Sequence, residues 1–128
     1  VLVLRNGTPT RSEVVASARL AQVADGAAGS GRGAAQLVRR ADGTHLLVEV
    51  DEMRATDRAD FFELWLLDRS NGDPQSLGKM DRSGARTLDV LVPDRVDTAR
   101  FPVVDISSEI DDGDATHSGR SVLRGTLT

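Results

Sequence analysis

The chain has 128 residues, of which 39% are hydrophobic and 3% aromatic, with a formal net charge of −4 and no cysteine. That length suits one ordinary domain burying roughly two thirds of its unfolded surface. The missing cysteine excludes disulfides, thiolate metal sites and cysteine nucleophiles, while fitting either side of a membrane.

Charge and aromatic content narrow the partners. Arginine outnumbers lysine 15 to 1, and the charges are scattered without a block of like sign. Nucleic acid requires cations gathered on one face, so no nucleic-acid partner is expected. Few aromatics leave little for stacking on sugars or bases. No run approaches the roughly 20 apolar residues of a membrane-spanning helix.

In chain order, Val1 to Leu4 reads as a first strand or as the remnant of a longer apolar segment, and residues 6–12 read as a linker. Period-2 alternation and β-branched residues predict strands over residues 13–24, 34–40, 44–50, 61–67, 76–80, 86–92, 101–108 and 121–127. Residues 16–24 also suit a helix by propensity, but Val14, Val15 and Val23 favour β. Residues 27–33 (AAGSGRG) read as a mobile loop. Asp42-Gly43, between two alternating runs, predicts a tight hairpin with a primed turn. Asn71-Gly72 and Ser83-Gly84 are weaker turn marks. No internal repeat is visible.

Alternation also assigns faces. Leu46, Val48 and Val50 point to a core, as do Leu88, Val90 and Val92, and again Val104 and Ile106. The run from Phe61 to Leu67 is apolar on both faces except at Glu63, which suits a central strand covered on both sides. The expected architecture is all-β: a two-sheet antiparallel sandwich, immunoglobulin- or cupredoxin-like, of about seven to nine strands. Residues 13–128 form that domain, preceded by a linker or truncated segment over residues 1–12.

Four candidate sites come from residue types. His117-Ser118-Gly119 with Ser121 suggests a nucleophile and its base, but adjacent residues in one loop seldom reach each other, and the G-x-S-x-G elbow is missing. A turn is the simpler reading. His45, His117, Met53 and Met80 are copper-ligand types, yet a blue-copper site needs a cysteine. The acidic stretch Asp111-Asp112-Gly113-Asp114 lacks EF-hand spacing and reads as a solvated turn. Trp65 is a candidate interaction residue, or else a core tryptophan.

Arg124 falls within an apolar run, where a buried charge needs a carboxylate. Glu63, Asp105 and Glu109 are its candidate partners in a structural ion pair. No catalytic residue, bound metal or cofactor is expected.

From Phe61 onward the sequence resembles the C-terminal domain of anti-sigma-K factors of the RskA type. Phe62-Glu63-Leu64-Trp65-Leu66 resembles the family's Tyr-Glu-x-Trp-Leu strand, and Pro74-Gln75-Ser76-Leu77-Gly78 its Pro-x-Ser-Leu-Gly. Phe101-Pro102-Val103-Val104-Asp105-Ile106-Ser107, then Glu109 and Asp112-Gly113-Asp114, follow in order. His117-Ser118-Gly119-Arg120-Ser121-Val122-Leu123-Arg124-Gly125 closes the set. The last 68 residues fit well, and the first 60 in strand pattern only. Two positions depart: Phe62 stands where the family usually has Tyr, and Ile110 where members often place Pro.

The resemblance implies the excised outer domain of a single-pass membrane protein. The family's cytoplasmic part, missing here with its membrane helix, sequesters an extracytoplasmic-function sigma factor. The outer domain controls stepwise cleavage by site-1 and intramembrane proteases. Two other readings stay open: an extracellular ligand- or metal-binding sandwich without a proteolytic role, and a hydrolase using the His117 loop.

Overall fold

The computed structural model describes residues 12–23, 27–56, 58–81 and 86–128. These hold eight strands and no helix: β1 Ser12–Gln22, β2 Gly29–Arg40, β3 Gly43–Ala55, β4 Phe61–Leu67, β5 Pro74–Met80, β6 Arg86–Leu91, β7 Val103–Glu109 and β8 Ser121–Thr126. The protein is all-β, as expected. Val1 to Leu4, nearly all of the expected linker and the Ser83-Gly84 turn lie outside the described residues.

Every pairing is antiparallel, in the order β5-β4-β7-β8-β1-β2-β3-β6. β1 joins the two halves, pairing with β2 from Ser12 to Leu20 and with β8 through Ala21 and Gln22. Two backbones nearly touch at that joint. A Cβ on Gly125 of β8 would lie 2.1 Å from the Arg19 carbonyl oxygen, so only glycine fits there.

The core follows the alternation. Leu46, Val48 and Val50 are buried from β3, with Leu64 and Leu66 from β4 and Val104 and Ile106 from β7. Leu88 and Val90 of β6 pack against this cluster while half-buried. Burying each such side chain contributes about 1.5–3 kcal/mol. β4 lies between β5 and β7, with Phe62 to Leu67 all buried.

Two expectations fail at glycines. Gly29 to Gly33 is the opening of β2 rather than a mobile loop. A Cβ at Gly33 would lie 2.5 Å from Glu49 O, and one at Gly31 would lie 2.8 Å from Met53 Cα. Here β2 runs too close to β3 for a side chain, so the glycines mark contact rather than freedom. The second correction concerns the hairpin, which forms one residue earlier than the Asp42-Gly43 motif implies. Arg40 pairs with Gly43, leaving Ala41 and Asp42 as the turn. Among the described non-glycine residues only Glu52 has positive φ, so Asp42 does not take the primed conformation. Gly43, at φ +134°, supplies the positive φ instead.

Candidate functional site: a latched loop over β4, β7 and β8

Side chains on a strand alternate, so Asp105, Ser107 and Glu109 share the face of β7 opposite Val104 and Ile106. Register sets Trp65 beside Asp105 and Asp105 beside Arg124, with Glu63 beside Ser107 and Ser107 beside Ser121. This second face would ordinarily meet water. Instead Glu63, Asp105, Ser107, Ser108, Glu109 and Ser121 are all buried, and the segment from Ile110 to Arg120 is bonded to this face through His117 and Ser118.

Asp105 is the centre and has no solvent exposure. Its Oδ1 accepts from Arg124 Nε at 2.9 Å, and its Oδ2 from His117 Nε2 at 2.7 Å. The Ser121 hydroxyl donates to the same carboxylate and itself accepts from Arg124 Nη2 at 3.0 Å. Burial pushes the Asp105 pKa up, but the bonds from His117 and Ser121 and the Arg124 charge outweigh it, leaving the pKa below the usual carboxylate range.

The network fixes His117. Gly119 N–H donates to His117 Nδ1 at 2.8 Å. A backbone N–H only donates, so Nδ1 carries the lone pair and Nε2 the proton given to Asp105. The imidazole also lies against the Trp65 indole, with ring centroids 4.9 Å apart.

A second chain runs parallel to the first. Trp65 Nε1–H donates to Ser107 Oγ at 2.9 Å, and that hydroxyl donates to Glu109 Oε2 at 2.5 Å. Ser118 N–H reaches the same Glu109 oxygen at 3.1 Å, while Ser118 Oγ donates to Ser108 O at 2.8 Å. At the other end of the segment, Asp111 N–H donates to Asp60 Oδ2 at 2.7 Å.

Of the three carboxylates considered for Arg124, the structure brings only Asp105 to it. Glu63 accepts from Ser76 Oγ at 2.5 Å, and Glu109 serves Ser107 and Ser118. The pair is asymmetric: the Arg124 side chain is 45% exposed and the Asp105 side chain 0%. Trp65 is buried, but on the face under His117 rather than among the main core residues. Sequence reasoning passed over His117, Ser107 and Ser121 as partners of this carboxylate cluster. The two-residue spacing of Asp105, Ser107 and Glu109 was the available signal.

The arrangement holds a segment down. Both His117 nitrogens are engaged, and neither bonds a serine hydroxyl, so the nucleophile–base contact of a hydrolase is not assembled. Met53 and Met80, the other metal-ligand types, are core residues. Asp112 and Asp114 accept bonds from Asp114 N and Thr116 N in successive turns. Among the described residues no three His, Cys, Asp or Glu side chains are grouped to hold a metal ion. No described helix is long and apolar enough to cross a membrane.

A separate polar cluster lies on the hairpin. His45 Nε2 is 2.7 Å from Asp42 Oδ1 and Nδ1 is 2.7 Å from Asp89 Oδ1, while Arg40 Nη1 donates to Asp89 Oδ2 at 2.7 Å. Hydrogen bonds to Asp89 and Asp42 raise the His45 pKa, because satisfying both carboxylates takes the doubly protonated ring.

The family described as anti-sigma-K factor rskA, C-terminal, matches residues 1–121. No curated protein and no solved structure matches the chain significantly. The matched span takes in the first 60 residues, where the sequence motifs are silent, and includes the latched segment through Ser121. Such factors are regulatory rather than catalytic, and have a sigma factor as partner. With nearly the whole length matched, the chain belongs to the anti-sigma-K factor RskA C-terminal family.

Proposed function

We propose that this domain is the extracytoplasmic sensory part of a single-pass, membrane-anchored anti-sigma factor. In this reading it governs release of an extracytoplasmic-function sigma factor by controlling site-1 and intramembrane proteolysis of the anchor. The sigma factor is held by a cytoplasmic region, not by these residues.

The supporting observation is where the family motifs meet. The strands carrying Trp65, Asp105 and Arg124 and the segment carrying His117 and Ser118 put their polar groups into fastening residues 110–120. A folded domain held this way blocks access to the neighbouring anchor, and a loosened one opens it. The transition needs only a local change of a few hydrogen bonds.

The test uses the full-length protein in cells. An epitope after Thr128 should be reached by a membrane-impermeant reagent in intact cells, and removing residues 12–128 should change sigma-dependent transcription. An epitope labelled only after lysis, or transcription unaltered by the deletion, would count against the reading.

A further inference from the structure

Among the described residues the sheet ends at β5 on one side and β6 on the other, and the two edges are built differently. β5 begins at Pro74, which has no N–H, and carries Lys79; its pairing with β4 slips between Leu64 and Trp65. Proline, bulges and lysine are the devices that keep an edge from recruiting another strand. β6 has none of them. Its residues from Arg86 to Leu91 pair with β3 from Val50 to His45 without a shift, and no described strand pairs with its outer edge.

The register fixes which groups that edge offers. Val92 N–H donates to Thr44 O at 2.8 Å, so Val92 and Thr44 are a hydrogen-bonded pair. Such pairs alternate along an antiparallel ladder, so Val90, Leu88 and Arg86 also turn their backbone groups toward β3. The N–H and C=O groups of Thr87, Asp89 and Leu91 therefore point outward. Side chains divide the same way. Thr87, Asp89 and Leu91 are exposed, while Leu88 and Val90 lie half-buried at the margin of the core. Asp89 is the one charge among the exposed three, and Arg40 and His45 hold it in place.

We infer that β6 pairs antiparallel with β6 of a second copy of this chain, joining the two sheets across a twofold axis at Leu88. Hydrogen-bonded pairs must match outward residues with outward residues, which leaves two registers that pair most of the strand. One sets Asp89 against Asp89 and is opposed by like charge. The other sets Thr87 of each copy against Asp89 of the other, a hydroxyl donor against a carboxylate. It also places Leu88 against Leu88 in a non-hydrogen-bonded pair, where side chains are closest. There each Leu88 covers apolar surface that Leu88 and Val90 leave half-buried in the single copy. The strand complements itself in charge and in shape, which favours a second copy over an unrelated peptide. The pairing stands whether or not the domain governs proteolysis.

One strand edge buries little area, so the dimer should be weak, with a Kd of about 0.1–0.5 mM. Sedimentation equilibrium of the 128-residue chain, run from about 0.02 mM to about 1 mM, should resolve it. Thr87 is exposed, so its variants probe the contact rather than the core. Thr87→Asp sets like charges opposite each other twice and should weaken the dimer about fivefold or more. Thr87→Arg sets opposite charges there and should tighten it by a similar factor. The chain has no cysteine, so single cysteine variants report the register. Oxidised at concentrations that form the dimer, Leu88→Cys should give a disulfide-linked pair, and Val90→Cys should not. A chain that stays monomeric across the range overturns the proposal and leaves the edge to a strand of another protein. A dimer indifferent to both Thr87 variants overturns it too, as does crosslinking through Val90→Cys but not Leu88→Cys. Should Thr87→Asp fail to fold, Thr87→Arg and the crosslinks decide the matter.

Discussion

Asp105 is a buried carboxylate held by donors from His117, Ser121 and Arg124. Removing it leaves the His117 N–H and a guanidinium facing each other over a void, so Asp105→Ala should cost about 3–5 kcal/mol in urea unfolding. Arg124→Ala should cost less, about 1–2 kcal/mol, because Arg124 is half exposed and Asp105 keeps two donors. Since the folded Asp105 pKa is depressed, its contribution is present above the ordinary carboxylate range and is lost as pH falls through the folded value. His45 runs the other way. Its folded pKa is raised, so its contribution is full below the ordinary imidazole range and disappears as pH rises through the raised value. Melting temperature measured from about pH 6 to about pH 8 should therefore fall, and His45→Gln should flatten that slope. The two-residue spacing of Asp105, Ser107 and Glu109 is enough to put them on one face. Spacing alone could not choose among Glu63, Asp105 and Glu109 for Arg124, because that choice depends on the β7–β8 register, which sets Asp105 opposite Arg124.

Strands were legible wherever apolar and polar residues alternate, as in β3 and β6, and where branched residues crowd, as in β4. They were illegible where the reason for a residue is a neighbouring backbone. Gly29 to Gly33 looks like a loop because glycine has no pattern, yet its meaning is the approach of β3. Gly125 is the same case against β1. Gly125→Ala places a methyl group 2.1 Å from Arg19 O. It should cost about 1–3 kcal/mol or prevent folding. Gly113→Ala meets nothing within 4 Å, though at φ +83°. It should cost about 1 kcal/mol, from backbone strain alone. Paired thermal melts of the two variants check this order.

At the scale of the molecule, the sheet order joins β4 to β7 and β8 to β1 across long stretches of chain, so no local pattern announces it. The second buried face is invisible for the same reason: Asp105 and Glu109 sit on outward-facing strand positions, and only the return of residues 110–120 brings His117 and Ser118 onto them. That segment is what the regulatory account rests on. Unfastening it should open the domain locally while the Leu46, Leu64 and Ile106 core persists. The most direct test is Asp105→Asn in the full-length protein, with hydrogen exchange on residues 110–120 of the isolated domain alongside. The account predicts faster exchange in the segment, a folded core, and a changed level of anchor cleavage on immunoblots of intact cells. A released segment with cleavage identical to wild type would contradict it.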